Sequence, residues 1–313
     1  MSENYTFTLS NQVKRDHVFY HNRYGIKLAA DLYTKKDLDL TKKHPAIVIG
    51  PPYAGVKEQG PGVYANELAK QGFVIIAFDP AYMGESSGKP RHVSSPDIFS
   101  ENFSASVDYL GMLEYVDRQK IGAIGICGSG GFALSATQVD TRIKAVVTCS
   151  LVDISLVSRL GTPEDLLAEK QRLNEQRWHD FENGYPEYIP AFPAKPTKTV
   201  PEGIEGMNEE YYRYYGMERG HHPNALGNFT TTSKLAMINY DLLGHLDEIS
   251  PRPILLIAGK EAHSLEFSKL VYNQAQQPKE LYLVDDAIHI DLYDDVTKIP
   301  FDKIEDFFNT NLK

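Results

Sequence analysis

The stretch Ile121–Leu134, IGAIGICGSGGFAL, constrains this chain more than any other. Small and β-branched residues (Ile121, Ala123, Ile124, Ile126) run into a glycine-dense turn, and Phe132, Ala133, Leu134 and Ala136 then resume at helix-like spacing. Strand, tight turn, helix is the geometry of a nucleophile elbow, whose pattern is glycine, any residue, nucleophile, any residue, glycine. Here it reads Gly125-Ile126-Cys127-Gly128-Ser129, with Cys127 at the nucleophile position and Ser129 in place of the second glycine. Such a turn needs small neighbours because its central backbone is held in a strained conformation.

A chain of 313 residues is long enough for one large α/β domain with an insertion. The net charge of −10 comes with no basic patch of the kind that binds nucleic acid. No apolar run approaches the roughly 20 residues needed to cross a bilayer, so no membrane partner is expected. The N-terminus, MSENYTFTLSNQVKRDH, lacks the apolar core of a secretion signal. With only two cysteines, Cys127 and Cys149, the expected compartment is the reducing cytoplasm.

Taken in order, 1–12 reads as a loose arm. Asp16–Tyr20 and Ile26–Tyr33 read as an antiparallel lead-in hairpin. Buried parallel strands are expected at Ala46–Ile49, Phe73–Phe78, Ile143–Thr148, Pro253–Ala258 and Glu280–Val284. Helices are expected at Gly62–Gln71, Ile98–Tyr115, Leu265–Gln276 and Phe301–Asn311. From 154 to 248 no clear buried strand appears. That segment holds a polar helix (Pro163–Phe181), a proline-rich stretch and the cluster Tyr211-Tyr212-Arg213-Tyr214-Tyr215, and it reads as an inserted cap. The organisation is then a core of 1–153 and 249–313 with a cap at 154–248.

Alternating buried strands and helices give an α/β protein with a mostly parallel central sheet, covered on both faces. With the elbow in mid-chain, the order resembles the α/β-hydrolase fold over nearly the whole chain. The cysteine at the elbow, with glycine two places before it and further glycines after it, is similar to dienelactone hydrolase. Gly55-Val56-Lys57-Glu58-Gln59, Phe78-Asp79, Gly84-Glu85-Ser86 and His289-Ile290-Asp291-Leu292-Tyr293 also look like a bacterial group of dienelactone-hydrolase-like proteins. Ser129 and the long cap depart from dienelactone hydrolase, so substrate identity does not transfer. The resemblance also implies that Glu58 or Glu85 holds the resting thiol protonated, against the plainer reading of both as surface glutamates.

The chemistry expected at the strand tips is a Cys–His–acid triad. A cysteine attacks as thiolate, so Cys127 is expected to have a lowered pKa, helped by the N-terminus of the helix that follows. The plainer reading is a buried structural cysteine. Ser129 is the rival nucleophile. His289 lies on the loop after the last strand, where the general base belongs, and the order nucleophile, acid, histidine is met. The acid is expected to be Glu261, with Asp153 as the alternative, and His263 reads as a packing or substrate-contacting residue. The oxyanion hole is expected from the backbone N–H groups of Gly128 and Tyr53, because Pro51 and Pro52 have none to give. Ala54 is the next donor. The tyrosine cluster lines a pocket or packs the cap.

His221-His222 lacks a third ligand at metal spacing, and Gly125–Gly130 only loosely matches a dinucleotide loop, so neither a metal nor a cofactor is expected. The expected activity is hydrolysis of a small-molecule ester, lactone or thioester through an acyl-cysteine. A thiol-redox protein using Cys127 and Cys149, and an inactive ligand-binding protein, are the alternatives. A homo-oligomer is left open.

Overall fold

The computed structural model describes residues 4–312. Eight strands form one sheet: β1 (Val13–His21), β2 (Lys27–Lys35), β3 (His44–Gly50), β4 (Val74–Phe78), β5 (Val116–Ile126), β6 (Ile143–Cys149), β7 (Ile254–Gly259) and β8 (Lys279–Val284). Their spatial order is β1-β2-β4-β3-β5-β6-β7-β8. The first two strands pair antiparallel, and β2 is antiparallel to β4. Every pairing from β4 through β8 is parallel. This is the expected α/β-hydrolase fold, with the lead-in hairpin on one edge.

Side-chain alternation decides what each face buries. Ala46, Val48, Val74 and Ile76 point to one side, where they pack with Phe99, Phe103 and Leu110 of α2 (Pro96–Met112) and Phe132 and Leu134 of α3 (Gly128–Val139). Ile47, Ile49, Ile75 and Ala77 point to the other. There they meet Tyr64 and Leu68 of α1 (Gly60–Ala69) and, from the chain's last helix (Phe301–Asn311), Ile304 and Phe308. Strands buried on both faces must be apolar throughout, as β3, β4 and β7 are over their inner residues. The edge strand β8 begins Lys279-Glu280 and stays partly exposed.

The segment between β6 and β7 contains α4 (Ile154–Val157), α5 (Pro163–Asn183), α6 (Met207–Tyr215) and α7 (Lys234–Ile238), with no named strand. Thr162 and Asp165 close a capping box on α5, and Gly184 ends it in the left-handed conformation. Of its 21 residues α5 buries only Leu173, so it lies on the outside of the molecule. After β7 come α8 (Leu265–Gln274), then α9 (Asp291–Asp294) and α10, the last helix named above. Several boundaries differ from expectation by one to three residues, and one has a clear cause. The helix expected to run to Tyr115 stops at Met112, because Leu113 turns extended and the Tyr115 carbonyl accepts the His44 N–H (2.9 Å) at the start of β3. Among the described residues, no helix is long and apolar enough to cross a membrane.

Candidate active site

The loops after β3, β5, β7 and β8 converge at the carboxyl edge of the parallel strands, where this class of sheet places its sites. Cys127 stands between β5 and α3 with φ 54° and ψ −120°. That conformation is strained for a residue with a side chain and is held from three directions. Its N–H donates to the Cys149 carbonyl (2.9 Å), and its own carbonyl accepts from Gly130 (2.9 Å) and Val152 (3.0 Å). A Cβ on Gly125 would fall 2.1 Å from the Ser129 carbonyl oxygen, and one on Gly128 would fall 2.8 Å from Tyr53 Cβ. Both glycines are therefore steric requirements of the turn. Ser129 is buried in the first turn of α3, and its hydroxyl faces Gly50 at the end of β3.

The backbone N–H groups of Tyr53 and Gly128 face the Cys127 sulfur and favour its anion. The Tyr53 loop is fixed by Gly55 N–H to Pro52 O (2.7 Å) and by the Tyr53 hydroxyl on Ser94 (2.7 Å). The Tyr53 ring stacks on Phe229 with centroids 4.2 Å apart. Beneath it Lys57, fully buried, reaches Glu58 (2.5 Å), Asp79 (2.9 Å) and Glu85 (2.7 Å), and its N–H donates to Asp79 Oδ1 (2.9 Å). Burial would lower the Lys57 pKa, but Asp79 and Glu58 more than offset it and keep the ammonium charged. Burial, with the Asp79 charge, raises the Glu58 carboxyl. Glu58 and Glu85 thus serve Lys57, and the role implied for them at the Cys127 thiol is corrected. The cluster ties the loop after β3 to the loop after β4.

His289 is fully buried. Its Nδ1 lies 2.6 Å from Ser264 Oγ, and its Nε2 lies 2.9 Å from the Tyr293 hydroxyl and 3.5 Å from the Tyr211 hydroxyl. Tyr293 also faces Cys127 and favours its anion, so a tyrosine stands between the expected nucleophile and base. His263 stacks beside His289 with ring centroids 4.5 Å apart, and its Nε2 is 3.1 Å from the Tyr211 hydroxyl. Burial, then the His263 charge, holds the His289 pKa well below its ordinary value.

The carboxylates expected at the triad are elsewhere. Glu261 lies on the expected loop, but its side chain is exposed and its N–H donates to the Ala287 carbonyl (3.1 Å). Ser264, three residues on, turns inward and takes the place beside Nδ1. Asp153 caps α4, accepting from the Ser155 N–H (2.9 Å) and the Leu156 N–H (3.1 Å). A carboxylate that does stand beside the histidines is Glu210 of α6, 3.5 Å from His263 Nδ1. Sequence reading missed Ser264, Tyr293 and Glu210. Only Ser264 carried a signal, as a small hydroxyl residue just before an apolar helix.

The thiol also departs from expectation. Burial pushes the Cys127 pKa up, and the nearby Tyr293 hydroxyl and Tyr53 and Gly128 N–H groups, which favour the anion once it forms, only partly oppose it. The resting site is therefore a neutral thiol beside a neutral imidazole. The helix N-terminus, set against full desolvation, does not produce a standing thiolate.

Cys127 opens into a cavity of about 830 Å³ whose wall includes Tyr53, Phe192, Tyr211, Phe229 and Tyr293. Tyr212 and Tyr215 also line it, while Tyr214 is buried in the core. The charged residues on the wall are paired with one another, Glu169 accepting from Arg172 (2.8 Å) and from Lys234 (2.8 Å). Such a cavity suits a bulky apolar guest.

Residues 28–149 match the dienelactone hydrolase family. The chain is 47% identical to protein PA2218 of Pseudomonas aeruginosa over 98% of its own length and 83% of that protein's. The crystal structure of PA2218 superposes with a TM-score of 0.95 at 45% identity, covering 99% of this chain and 98% of the other. YcjY of Escherichia coli is 37% identical over 87% of this chain and 90% of its own. Thiohydrolase aneE of Aspergillus aculeatus is 25% identical over 85% of this chain and 83% of its own. With its elbow, sheet order and these relatives together, the chain belongs to one family with PA2218 and YcjY, within the α/β-hydrolase fold, and its stretch 28–149 carries the dienelactone hydrolase match.

Proposed function

We propose that the protein cleaves a carboxylic ester, lactone or thioester with a bulky apolar acyl group through an acyl-cysteine intermediate. Cys127 is the nucleophile, His289 the general base, and the Tyr53 and Gly128 N–H groups hold the oxyanion. The observation that carries this reading is Cys127, held at positive φ at the start of α3 and opening into the cavity beside Tyr53, with the Tyr53 and Gly128 N–H groups favouring its anion. Donors poised at the sulfur stand beside the carbonyl oxygen once the sulfur has attacked.

Because both groups rest neutral, the nucleophile forms only as its proton reaches His289. The sulfur attacks the carbonyl carbon and the oxyanion collapses to expel the leaving group. The imidazolium supplies the leaving group's proton. Water activated by His289 then releases the acid. The name of the relative aneE, a thiohydrolase, favours thioesters within this class. Residues 154–248 act as the cap that shapes the acyl site, as the presence of Phe192, Tyr211 and Phe229 in the cavity wall supports.

A redox role for the cysteine pair is disfavoured. Burial pushes the Cys149 thiol up to about 12, and exchange requires a thiolate. The test is turnover of p-nitrophenyl butyrate by the wild type, Cys127→Ala and Ser129→Ala, with mass spectrometry of the trapped protein. Loss of turnover in Cys127→Ala alone, with the acyl mass on Cys127, supports the proposal. Full activity of Cys127→Ala with a dead Ser129→Ala overturns it.

A further inference from the structure

A direct thiol–imidazole contact is the usual arrangement for a cysteine activated by a histidine. In this protein the Tyr293 hydroxyl stands in the path. It lies 2.9 Å from His289 Nε2, shares the cavity wall with Cys127, whose anion it favours, and is fully buried. Tyr293 sits four residues after His289 on the short helix α9, so one turn of chain sets the two side chains side by side. The Tyr64 hydroxyl fixes that turn from the core by donating to the Leu292 carbonyl (2.6 Å), and the Ser150 hydroxyl fixes it at the His289 carbonyl (2.8 Å).

We propose that Tyr293 is a catalytic residue whose hydroxyl relays the proton from the Cys127 thiol to His289 Nε2. The proposal rests on the acyl-cysteine reading. It uses the tautomer in which His289 Nδ1–H donates to Ser264 Oγ, leaving Nε2 as acceptor. The Tyr293 O–H then donates to Nε2, and a lone pair of its oxygen accepts the S–H. The sulfur keeps its lone pairs for the Tyr53 and Gly128 N–H groups.

In the reaction the S–H proton moves to the tyrosine oxygen as the tyrosine proton moves to Nε2. Tyrosine ends as it began, and no tyrosinate forms. The sulfur electron pair released by the proton makes the new S–C bond, and the carbonyl π pair moves to the oxygen. The imidazolium proton leaves on the departing alcohol or thiol when the C–O or C–S bond breaks. Tyr211 and His263 face the His289 ring from the cap and from the loop after β7, Tyr215 faces Tyr293, and Glu210 lies 3.5 Å from His263 Nδ1. These groups set the pH profile together with Cys127.

The experiment is single-turnover acylation by p-nitrophenyl butyrate, read as the acyl mass on Cys127, in the wild type, Tyr293→Phe, His289→Ala and Cys127→Ala. Tyr293→Phe keeps the ring and removes only the hydroxyl. Acylation is expected to slow about 100-fold in Tyr293→Phe, as in His289→Ala. In the wild type, rates in mixed light and heavy water are expected to bow, because two protons move in one step. Acylation of Tyr293→Phe within threefold of wild type, with His289→Ala still slow, overturns the relay and leaves the acyl-cysteine reading standing. So does a linear solvent dependence in the wild type, which needs no variant to fold. An unchanged rate of product release in Cys127→Ala overturns the reading beneath both.

Discussion

Ser264 Oγ lies 2.6 Å from His289 Nδ1, where a carboxylate was expected. A hydroxyl can accept the Nδ1 proton and fix the tautomer, but it brings no charge to stabilise an imidazolium. That agrees with a histidine whose pKa is held low by burial and then by His263. One hydrogen bond of this kind contributes about 1–1.5 kcal/mol. Ser264→Ala should therefore lower kcat about tenfold, while Glu261→Gln, altered on an exposed side chain, should change it less than twofold. Steady-state rates on an activated ester check both.

The raised Cys127 pKa gives a reactivity signature. A thiol reacts with iodoacetamide only as thiolate. In the wild type the alkylation rate at Cys127 should still be climbing above pH 9 and should be slower at pH 7 than that of a free cysteine peptide. The sign follows from burial, which disfavours the anion and is the largest influence on this sulfur. Alkylation followed by mass spectrometry of the Cys127 peptide reads it directly. A rate plateau below pH 7 would mean a standing thiolate.

Much of the site was legible because its signals are local. The apolar run into Gly125–Gly131 announced the elbow, and the loop after the last strand offered one histidine in the right slot. The rest depends on where a loop aims its side chains. Glu261 and Ser264 share one loop, yet Glu261 faces solvent and Ser264 faces the ring, a difference set by the turn in which Ala262 N–H meets the Gly259 carbonyl (3.2 Å). Lys57, Asp79 and Glu85 meet only because β3 and β4 are neighbours, a pairing between distant segments with no local mark. The thiol's pKa was misjudged because sequence shows the helix N-terminus but not the desolvation opposing it.

His222 gives the fold an acid limit. It is fully buried, and burial, with the Lys57 and His221 charges, lowers its pKa to about 4. A base lowered from 6.5 contributes stability that is fully present above pH 6.5 and is lost as pH falls toward 4. The full shift corresponds to about 3 kcal/mol. Wild-type Tm should fall between pH 6.5 and pH 4, and in His222→Gln the fall should be visibly shallower. Thermal unfolding across that range measures it. Equal slopes in the two proteins would assign the acid limit to other groups.

Lys57 holds three carboxylates together beneath the Tyr53 loop, with its own side chain and that of Asp79 wholly out of water. Lys57→Met keeps the length of the side chain and removes its charge. Glu58, Asp79 and Glu85 would then lose the cation that joins them, and breaking a buried ionic group in this way costs about 3–5 kcal/mol. Because the Lys57 N–H anchors the loop to Asp79, this loss should also shift Tyr53. The expected result is a clear fall in the denaturation midpoint with a fall in kcat larger than any change in KM, since an oxyanion donor acts chiefly in the transition state. Raising the pH should widen the stability gap between variant and wild type from about pH 4 upward, as the carboxylates ionise. Urea unfolding at pH 5 and pH 8 decides it: a gap that does not grow with pH would show that Lys57 acts through packing and not through its charge.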